Sequence, residues 1–574
     1  YRMGDFYEMF YEDALIAAKA LDLTLTSRNK NSPDPVPMCG IPHHASVGYV
    51  SKLIEQGFKV AVCEQMEDPA KVKGLVKREV VRVITPGVII DEENLDARAN
   101  NFLAAVLPLH GQDSSAPQDV FALCAMDAST GEFKGTRLSG TASLVGELFR
   151  LEPREILASR ASLPSLQNLT AVLPRCCMTA VDDDLFAGDG AVSALVPLLG
   201  EAPARELFRE DALLCRAAGA VASYLRATRP LDDLPVTRFS TYRMTDHLIL
   251  DEATKRHLEL VRTADGDKKG SLLHLLDQTG TPMGGRRLRG DINYPLCDAA
   301  AIARRLARVE LFFADAEFLR DTRELLGDIG DLERVATRVG MNAATPRDLG
   351  ALRATLARIP RLDDLLTSCR NSAAEELLGD PLDRCDDLHD ALARALVEDP
   401  PLSRTEGGIF REGFNDALDE LRTTVLSAKD FIASLEARER ARTGISSLKV
   451  SYNRVFGYFI LVTKANLKNV PDDYMRKQTL VNGERFITKE LQEWESKVLT
   501  ADDRRRALEK ELFDGLMGDL KAHVPRLLAL SSRVAAIDVS AALAFAAKRH
   551  GWVRPAINTS GVLHVVDGRH PVVE

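Results

Sequence analysis

No stretch of the 574-residue sequence offers the uninterrupted run of ~18–20 apolar residues that crosses a bilayer, and nothing in it reads as a signal peptide. A membrane anchor is therefore not expected, and the chain reads as a cytoplasmic protein. Its nine cysteines are odd in number and scattered from Cys39 to Cys385 without one C-x-x-C pair. That argues against a disulfide framework and a structural zinc, and predicts reduced thiols. The P-loop pattern G-x-x-x-x-G-K-[S/T] is also missing. Residues 280–285 have its spacing but run into Arg286-Arg287, and residues 266–271 lack both the spacing and the lysine, so neither cradles a nucleotide in that way. Positive charge is short as well: a net charge of −10 excludes a uniformly basic DNA coat and permits nucleic-acid binding only where cations are segregated. Aromatic residues make up 6 % of the chain against 45 % hydrophobic overall, which suits Leu- and Ala-rich helices.

What is present is length and a change of texture. Single cores stop growing near ~250–300 residues, so 574 residues make several domains. Residues 1–86 read as a small α/β domain. Helical spacing over 12–21 places Ala14, Leu15, Ala17, Ala18 and Leu21 on an apolar face, and a second helix is expected over 46–56 with Gly57 as its stop. The proline-rich residues 32–37 are expected to be loop. Strands are expected over 58–63 and 80–84. Beside them lie Lys71, Lys73, Lys77, Arg78 and Arg82 against Glu79 alone, a basic cluster that suits a phosphate-facing patch or a solvated loop equally. His43-His44 supplies no coordination geometry by itself. A second domain is expected over 87–236, with a hairpin of strands 120–126 and 132–138 around a turn at 127–131. Long helices dominate 237–428, strands return over 429–489, and helices resume from 490.

The segment Gly4-Asp5-Phe6-Tyr7-Glu8-Met9-Phe10-Tyr11 carries the clearest chemistry. On a strand, residues i and i+2 share a face, so Phe6 and Glu8 point the same way. A phenylalanine can enter a base step from the minor groove, exchanging base–base for base–ring stacking and kinking the duplex. A carboxylate beside it is repelled by phosphates, and makes sense where it meets a base edge as hydrogen-bond acceptor, or as donor when protonated. The same alternation also fits a strand that packs Phe6 and Phe10 into a core.

Residues 2–10 resemble the Phe-x-Glu mismatch-reading segment of the bacterial MutS family of DNA mismatch repair proteins. The resemblance implies that Phe6 stacks on the mispaired base and that Glu8 bonds to it. Pro37-Met38-Cys39-Gly40-Ile41-Pro42-His43-His44-Ala45 and Thr85-Pro86-Gly87 resemble the same family's first domain, and Asp127-x-Ser129-Thr130-Gly131-Glu132-Phe133 its connector domain, which has a ribonuclease-H-like fold. Segments 250–261 and 271–284, with Asp331-Leu332-Glu333-Arg334, resemble its core. The strands around Leu448–Val462 and 476–486 resemble its clamp, which is inserted between lever helices and grips the DNA backbone. Between residues 442 and 489 nine Lys and Arg face three Asp and Glu, a net of +6, which leaves about −16 for the rest of the chain. The clamp resemblance implies backbone contacts from Lys449, Asn453, Arg454, Arg476, Lys477 and Asn482. The last residues, 566–574, resemble the start of the family's ATPase domain.

The resemblance implies a mismatch-binding domain over 1–86, a connector over 87–236, core and lever helices over 237–428, a β-rich clamp over 429–489, returning levers over 490–537 and the start of an ATPase domain over 538–574. The fold class is thus multidomain, mixed α/β and α. The implied function is binding of mismatched or looped-out bases in double-stranded DNA at the start of mismatch repair, by a fragment with no catalytic site and no cofactor of its own. ATP and Mg²⁺, a homodimer through the missing C-terminal domain, and the partner MutL belong to the intact family protein, nucleoid-associated in the cytoplasm. The alternatives are a family paralogue without mismatch function, a helical DNA-binding scaffold, and a nuclease with carboxylate-held metals. For the last, Asp127 shows no partner in the sequence, and Asp182-Asp183-Asp184 reads as solvated.

Overall fold

A computed structural model describes residues 1–29, 34–67, 76–109, 119–166, 169, 173, 176–230, 233, 238–368, 377–453, 457–480 and 482–573, with the side chains of residues 92, 189, 238, 428 and 453 excepted. Two units build it. The first holds residues 1–344, 354–384 and 521–574, and the second residues 345–353 and 385–520.

The first unit begins with an antiparallel sheet of β1 (Arg2–Met3), β2 (Phe6–Phe10), β3 (Thr26–Arg28) and β4 (Val36–Pro42), ordered β1-β2-β4-β3. Gly4, at φ +63°, makes the reversal into β2, a backbone conformation that a Cβ resists. Helix Tyr11–Leu21 buries Ala14, Ala17 and Leu21 against Cys39 and Leu53. Leu15, expected on that face, is 49 % exposed, because one residue along a helix turns the side chain by about 100°. Helix Ser46–Glu55 stops at Gly57, φ +86°, whose N–H donates to the Ile54 carbonyl at 2.9 Å. Residues 36 and 37, expected as loop, are instead the first two of β4. Pro37 pairs there with Ser27 alone, since β2 reaches only to Met38, so its missing donor falls where the strand has one neighbour. Ser32 and Pro33 lie outside the described residues. β5 (Val60–Gln65) and β6 (Arg78–Ile84) form a separate antiparallel ribbon.

A six-stranded sheet follows: β7 (Phe102–Leu109), β8 (Val120–Asp127), β9 (Glu132–Ser139), β10 (Glu155–Ser159), β11 (Cys177–Val181) and β12 (Arg238–Thr241), ordered β11-β10-β7-β8-β9-β12. β7, β8 and β9 run antiparallel, whereas β10 is parallel to β7 and β11, and β12 to β9. Helix Ala212–Thr228 covers one face and helix Thr141–Leu151 the other, so β7 and β8 are apolar nearly throughout rather than alternating. Glu155, at the start of β10, ties this sheet to the first domain. Its carboxylate accepts from Thr85 Oγ1 (2.5 Å), Thr179 Oγ1 (2.5 Å) and the Tyr224 hydroxyl (2.7 Å), and pairs with Lys59 at 3.0 Å. Burial pushes its pKa up, but Lys59 and the three hydroxyls outweigh that and hold it below the usual range.

The helical part of this unit packs around helix Val524–His550, which meets helices Pro282–Asn293, Ala299–Ala314, Ala316–Gly327 and Leu332–Gly340. Against the expectation of no membrane-length stretch, this helix is long and apolar enough to cross a bilayer. However, two thirds of its most apolar window is buried inside the protein, as in the central helix of a bundle. Asp538 on it accepts from Gly280 N and Thr281 N, both at 2.8 Å, and from Thr281 Oγ1 at 2.6 Å. The loop with P-loop spacing therefore leads into a helix N-terminus already occupied by an internal carboxylate.

In the second unit, helix Asp416–Thr443 is capped by Asn415, whose Oδ1 accepts from Leu418 N, and ends at Gly444, φ +68°. β13 (Lys449–Asn453), β14 (Gly457–Thr463), β15 (Met475–Thr479) and β16 (Gly483–Ile487) then form an antiparallel sheet ordered β13-β14-β16-β15, before helix Lys489–Lys521 resumes. Ile460, Val462 and Phe486 pack one face of this sheet with Ile432, Leu435, Leu491 and Val498 of the two long helices.

One buried polar cluster in the first unit carries a measurable consequence. Arg286 holds Asp331 bidentately, with both bonds at 2.7 Å, and donates to Glu333 (2.6 and 3.0 Å) and to the Ala97 carbonyl (2.8 Å). Burial pushes Glu333 up to about 7, because Arg286 divides its charge between two carboxylates while Asp331 and Glu132 add like charge. The unfolded chain releases this proton near 4.5, so between about pH 4.5 and 7 the folded state binds more protons and stability falls as pH rises. Glu333→Gln, which has no such proton, is expected to flatten that part of the Tm–pH profile. An unchanged slope would remove Glu333 as its source.

Candidate nucleic-acid interface

Strand β2 alternates between two environments. Tyr7 packs towards Ile54, Val62 and Ile84, and Met9 towards Ala14, Leu21 and Cys39. The Tyr7 hydroxyl also donates to Glu64 Oε1 on β5, and burial together with that bond raises its pKa above the usual tyrosine range. With Tyr7 and Met9 turned inward, Phe6, Glu8 and Phe10 stand on the outer face, as pleating requires. Packing of Phe6 and Phe10 into a core is therefore overturned: the inward residues are the ones between them. Phe6 is 48 % exposed and has no aromatic neighbour among the described residues, whereas Phe10 lies 6.2 Å from the Tyr1 ring and 5.9 Å from the Arg28 guanidinium. The Glu8 carboxylate makes no hydrogen bond or ion pair with any described residue. Directly opposite Glu8 in the register is Gly40.

The basic cluster of the first domain is largely occupied. Lys77 pairs with Glu79 at 2.6 Å, Arg78 Nε donates to the Arg2 carbonyl at 3.0 Å, and Arg82 reaches Asp91 at 3.4 Å. Lys71 and Lys73 lie outside the described residues. His43 and His44 are exposed on a short turn, with the His43 ring 5.3 Å from that of Tyr7.

In the second unit the register settles which way the clamp-like strands face. Lys449 opposes Leu461, which opposes Arg485, and Asn453 opposes Gly457. These positions share the face opposite the packed Ile460, Val462 and Phe486. Arg485 lies 4.4 Å over the Phe459 ring and donates to Gln478 Oε1 at 2.6 Å, so it belongs to Lys449's face, a placement that charge counting alone did not single out. Arg476 opposes Phe486, stands at the margin of the packed face, and reaches Glu484 at 3.5 Å. The register shifts between Arg476 and Gln478, which leaves Lys477 as the extra residue of a bulge, 4.0 Å from Glu495. Glu495 also accepts from Tyr458 N at 2.8 Å and sits where any Cβ on Gly457 (φ +66°) would collide. Lys449, Arg476 and Asn482 are exposed. Arg454, and with it the turn expected near residue 456, lies outside the described residues.

Two other places were candidates for chemistry. Asp127, for which the sequence suggested no partner, is fully buried and accepts from Ser129 N (2.9 Å), Ser129 Oγ (2.7 Å), Asn100 Nδ2 (3.0 Å) and Asn101 N (3.1 Å). Four donors use the bonding capacity of a carboxylate, and Asp127 fixes the β8–β9 turn. Asp182, Asp183 and Asp184 are exposed. A cavity of about 1040 Å³, lined among others by Phe102, Arg150, Arg286 and Tyr294, includes no residue of the first sheet. The outer face of β2 is a surface, open to a ligand as broad as a duplex.

Family models match the chain three times: MutS domain I over residues 1–93, MutS domain II over 101–235 and MutS domain III over 253–544. Among curated proteins, the DNA mismatch repair protein MutS of Myxococcus xanthus (strain DK1622) is 41 % identical over 587 residues, covering 100 % of this chain and 64 % of the relative. Its namesake from Sorangium cellulosum (strain So ce56) is 41 % identical, with 100 % and 66 % covered, and that of Desulforapulum autotrophicum is 42 % identical, with 100 % and 65 % covered. The chain thus spans just under two thirds of the length of these relatives. With the domain III match alone taking in over half of its residues, the chain belongs to the MutS family.

Proposed function

We propose that this chain recognises mismatched or unpaired bases in double-stranded DNA, as the first step of mismatch repair. The observation that carries the reading is the outer face of β2, where an uncovered Phe6 and a Glu8 carboxylate without a hydrogen-bond partner among the described residues stand on one side of one strand. A mispair stacks and pairs poorly, so kinking the duplex there costs a few kcal/mol less than at a paired step. Phe6 tests that deformability, and Glu8 bonds to a displaced base. The β13–β16 sheet acts as the clamp. Lys449, Asn453, Lys477 and Asn482, with Arg454 and Arg476, hold phosphates without reading sequence, as a scanner of all sequences requires. The β7–β12 sheet is the ribonuclease-H-like connector. Its Asp127, satisfied by four protein donors, argues against nuclease chemistry. In the intact protein, ATP with Mg²⁺, a second copy of the chain and MutL complete the cycle on chromosomal DNA in the cytoplasm.

Three outcomes test this reading. Phe6→Ala is expected to remove the preference for mismatched duplex while leaving weak general binding, since base–aromatic stacking contributes about 1–3 kcal/mol, roughly tenfold to more than a hundredfold in affinity. Equal preference in variant and parent would rule the wedge out. Lys449→Glu is expected to weaken matched and mismatched complexes alike and to lower the slope of log affinity against log salt by about 1–2. Arg476→Glu, at a position already paired to Glu484, should change it less. An unaltered slope for Lys449→Glu would mean a merely solvated face. For Glu8→Ala, relief of phosphate repulsion competes on a mismatch with loss of a charged hydrogen bond of roughly 1.5–3 kcal/mol. The variant is expected to narrow the mismatched-to-matched ratio chiefly by tightening the matched complex. Matched binding that stays the same or weakens would overturn the discriminating role of Glu8.

A further inference from the structure

Gly40 sits inside β4, directly opposite Glu8 in the antiparallel register. A glycine within a strand weakens it, having no side chain to pack and much backbone freedom to lose, and such a position needs a reason. The usual reasons do not apply. The φ of Gly40 does not lie in the left-handed region, so the backbone accepts any L-residue. Room exists too. An ideal Cβ there would stand 3.4 Å from the Tyr7 carbonyl oxygen, 3.6 Å from Glu8 Cγ and 3.8 Å from Phe6 Cδ1, all ordinary van der Waals separations. Glycines required by the fold look different: a Cβ on Gly284 would come within 2.2 Å of Asp538 Oδ2, and one on Gly483 within 2.4 Å of the Val462 carbonyl oxygen. The free protein therefore has room for a Cβ at residue 40.

What the missing side chain creates is a slot. It is walled by Phe6 on one side and Glu8 on the other, with the β4 backbone as its floor. On the side away from β2, β3 pairs with β4 only from Val36 to Met38, and among the described residues no strand continues beside Gly40 there. We infer that Gly40 is a specificity-determining residue: its bare backbone forms the floor of the slot that admits the edge of a displaced base between the Phe6 ring and the Glu8 carboxylate. This deepens the proposed function and rests on it. A paired base stays in the stack and does not reach the floor, so a side chain at residue 40 would burden the mismatched complex alone. That separates the role from a structural one, which would lower stability and weaken both complexes together.

The experiment compares the parent, Gly40→Ala, Gly40→Val and Phe6→Ala. It measures Tm and the fluorescence-anisotropy affinity for one labelled duplex, fully paired or carrying a single G·T mispair. Gly40→Val is expected to keep or raise Tm, hold matched affinity within about twofold, and lose mismatched affinity about tenfold. Gly40→Ala, whose methyl group the fold accommodates at ordinary contact distances, is expected to lose a smaller part, about threefold, and it keeps the test decisive if the valine variant folds poorly. Unchanged preference in folded Gly40→Ala and Gly40→Val, with preference lost in Phe6→Ala, would overturn the slot and leave the wedge standing. Preference retained in Phe6→Ala would overturn the wedge, and the slot with it. Matched and mismatched affinities falling together with Tm would show a structural glycine and overturn the inference.

Discussion

Tyr7 and Met9 anchor β2 in two separate apolar clusters, one under the β5–β6 ribbon and one under helix Tyr11–Leu21. That double anchorage fixes which face of the strand is outward, because slipping the register by one residue would exchange the faces. The exchange would bury the Glu8 carboxylate among apolar side chains, at a cost of several kcal/mol for an unpaired charge. The Tyr7–Glu64 hydrogen bond adds a directional tie to the ribbon. Everything the outer face can do follows from this one strand being unable to turn over. Phe6 stays uncovered, Glu8 stays beside it, and Gly40 leaves the gap between them.

On the proposed reading, affinity and discrimination are divided between different kinds of contact. The outer face of the first sheet includes a carboxylate, and the cations at the neighbouring β5–β6 ribbon, Lys77, Arg78 and Arg82, are already engaged by protein groups. Attraction to phosphate is concentrated in residues 442–489, with a net of +6 in a chain of net −10. A protein organised this way does not bind tightly wherever it touches a base. On the proposed reading it is held by charge, and it tests the duplex with a ring and a carboxylate whose interactions improve only where the stack gives way.

Much of this was legible from local pattern. The alternation in β2, the β8–β9 hairpin and the stop at Gly57 depend on residues within a few positions of one another, and short-range rules place them. The choice of face for Phe6 was not legible, because alternation states only that Phe6 and Glu8 agree. The inward pull on Tyr7 comes from Ile54, Val62 and Ile84, distant in sequence. Pro37 looked like loop because its partner Ser27 lies on a separate strand. The four donors to Asp127 include Asn100 and Asn101, nearly thirty residues away. The Lys477 bulge was hidden because strand pairing, not composition, decides where an extra residue is inserted. The burial of Arg286 and Arg334 beside Asp331 depends on Ser129 and the 96–99 segment, which are distant in sequence.

The central claim is that discrimination acts through deformation of the duplex by Phe6. Its most direct test is the end-to-end distance of a short duplex, measured by energy transfer between dyes at its two ends, at a protein concentration that saturates matched and mispaired duplexes alike. The account predicts that the mispaired duplex shortens on binding while the matched duplex stays near its free length. A mispaired duplex that is bound in preference yet remains as straight as the matched one would contradict it.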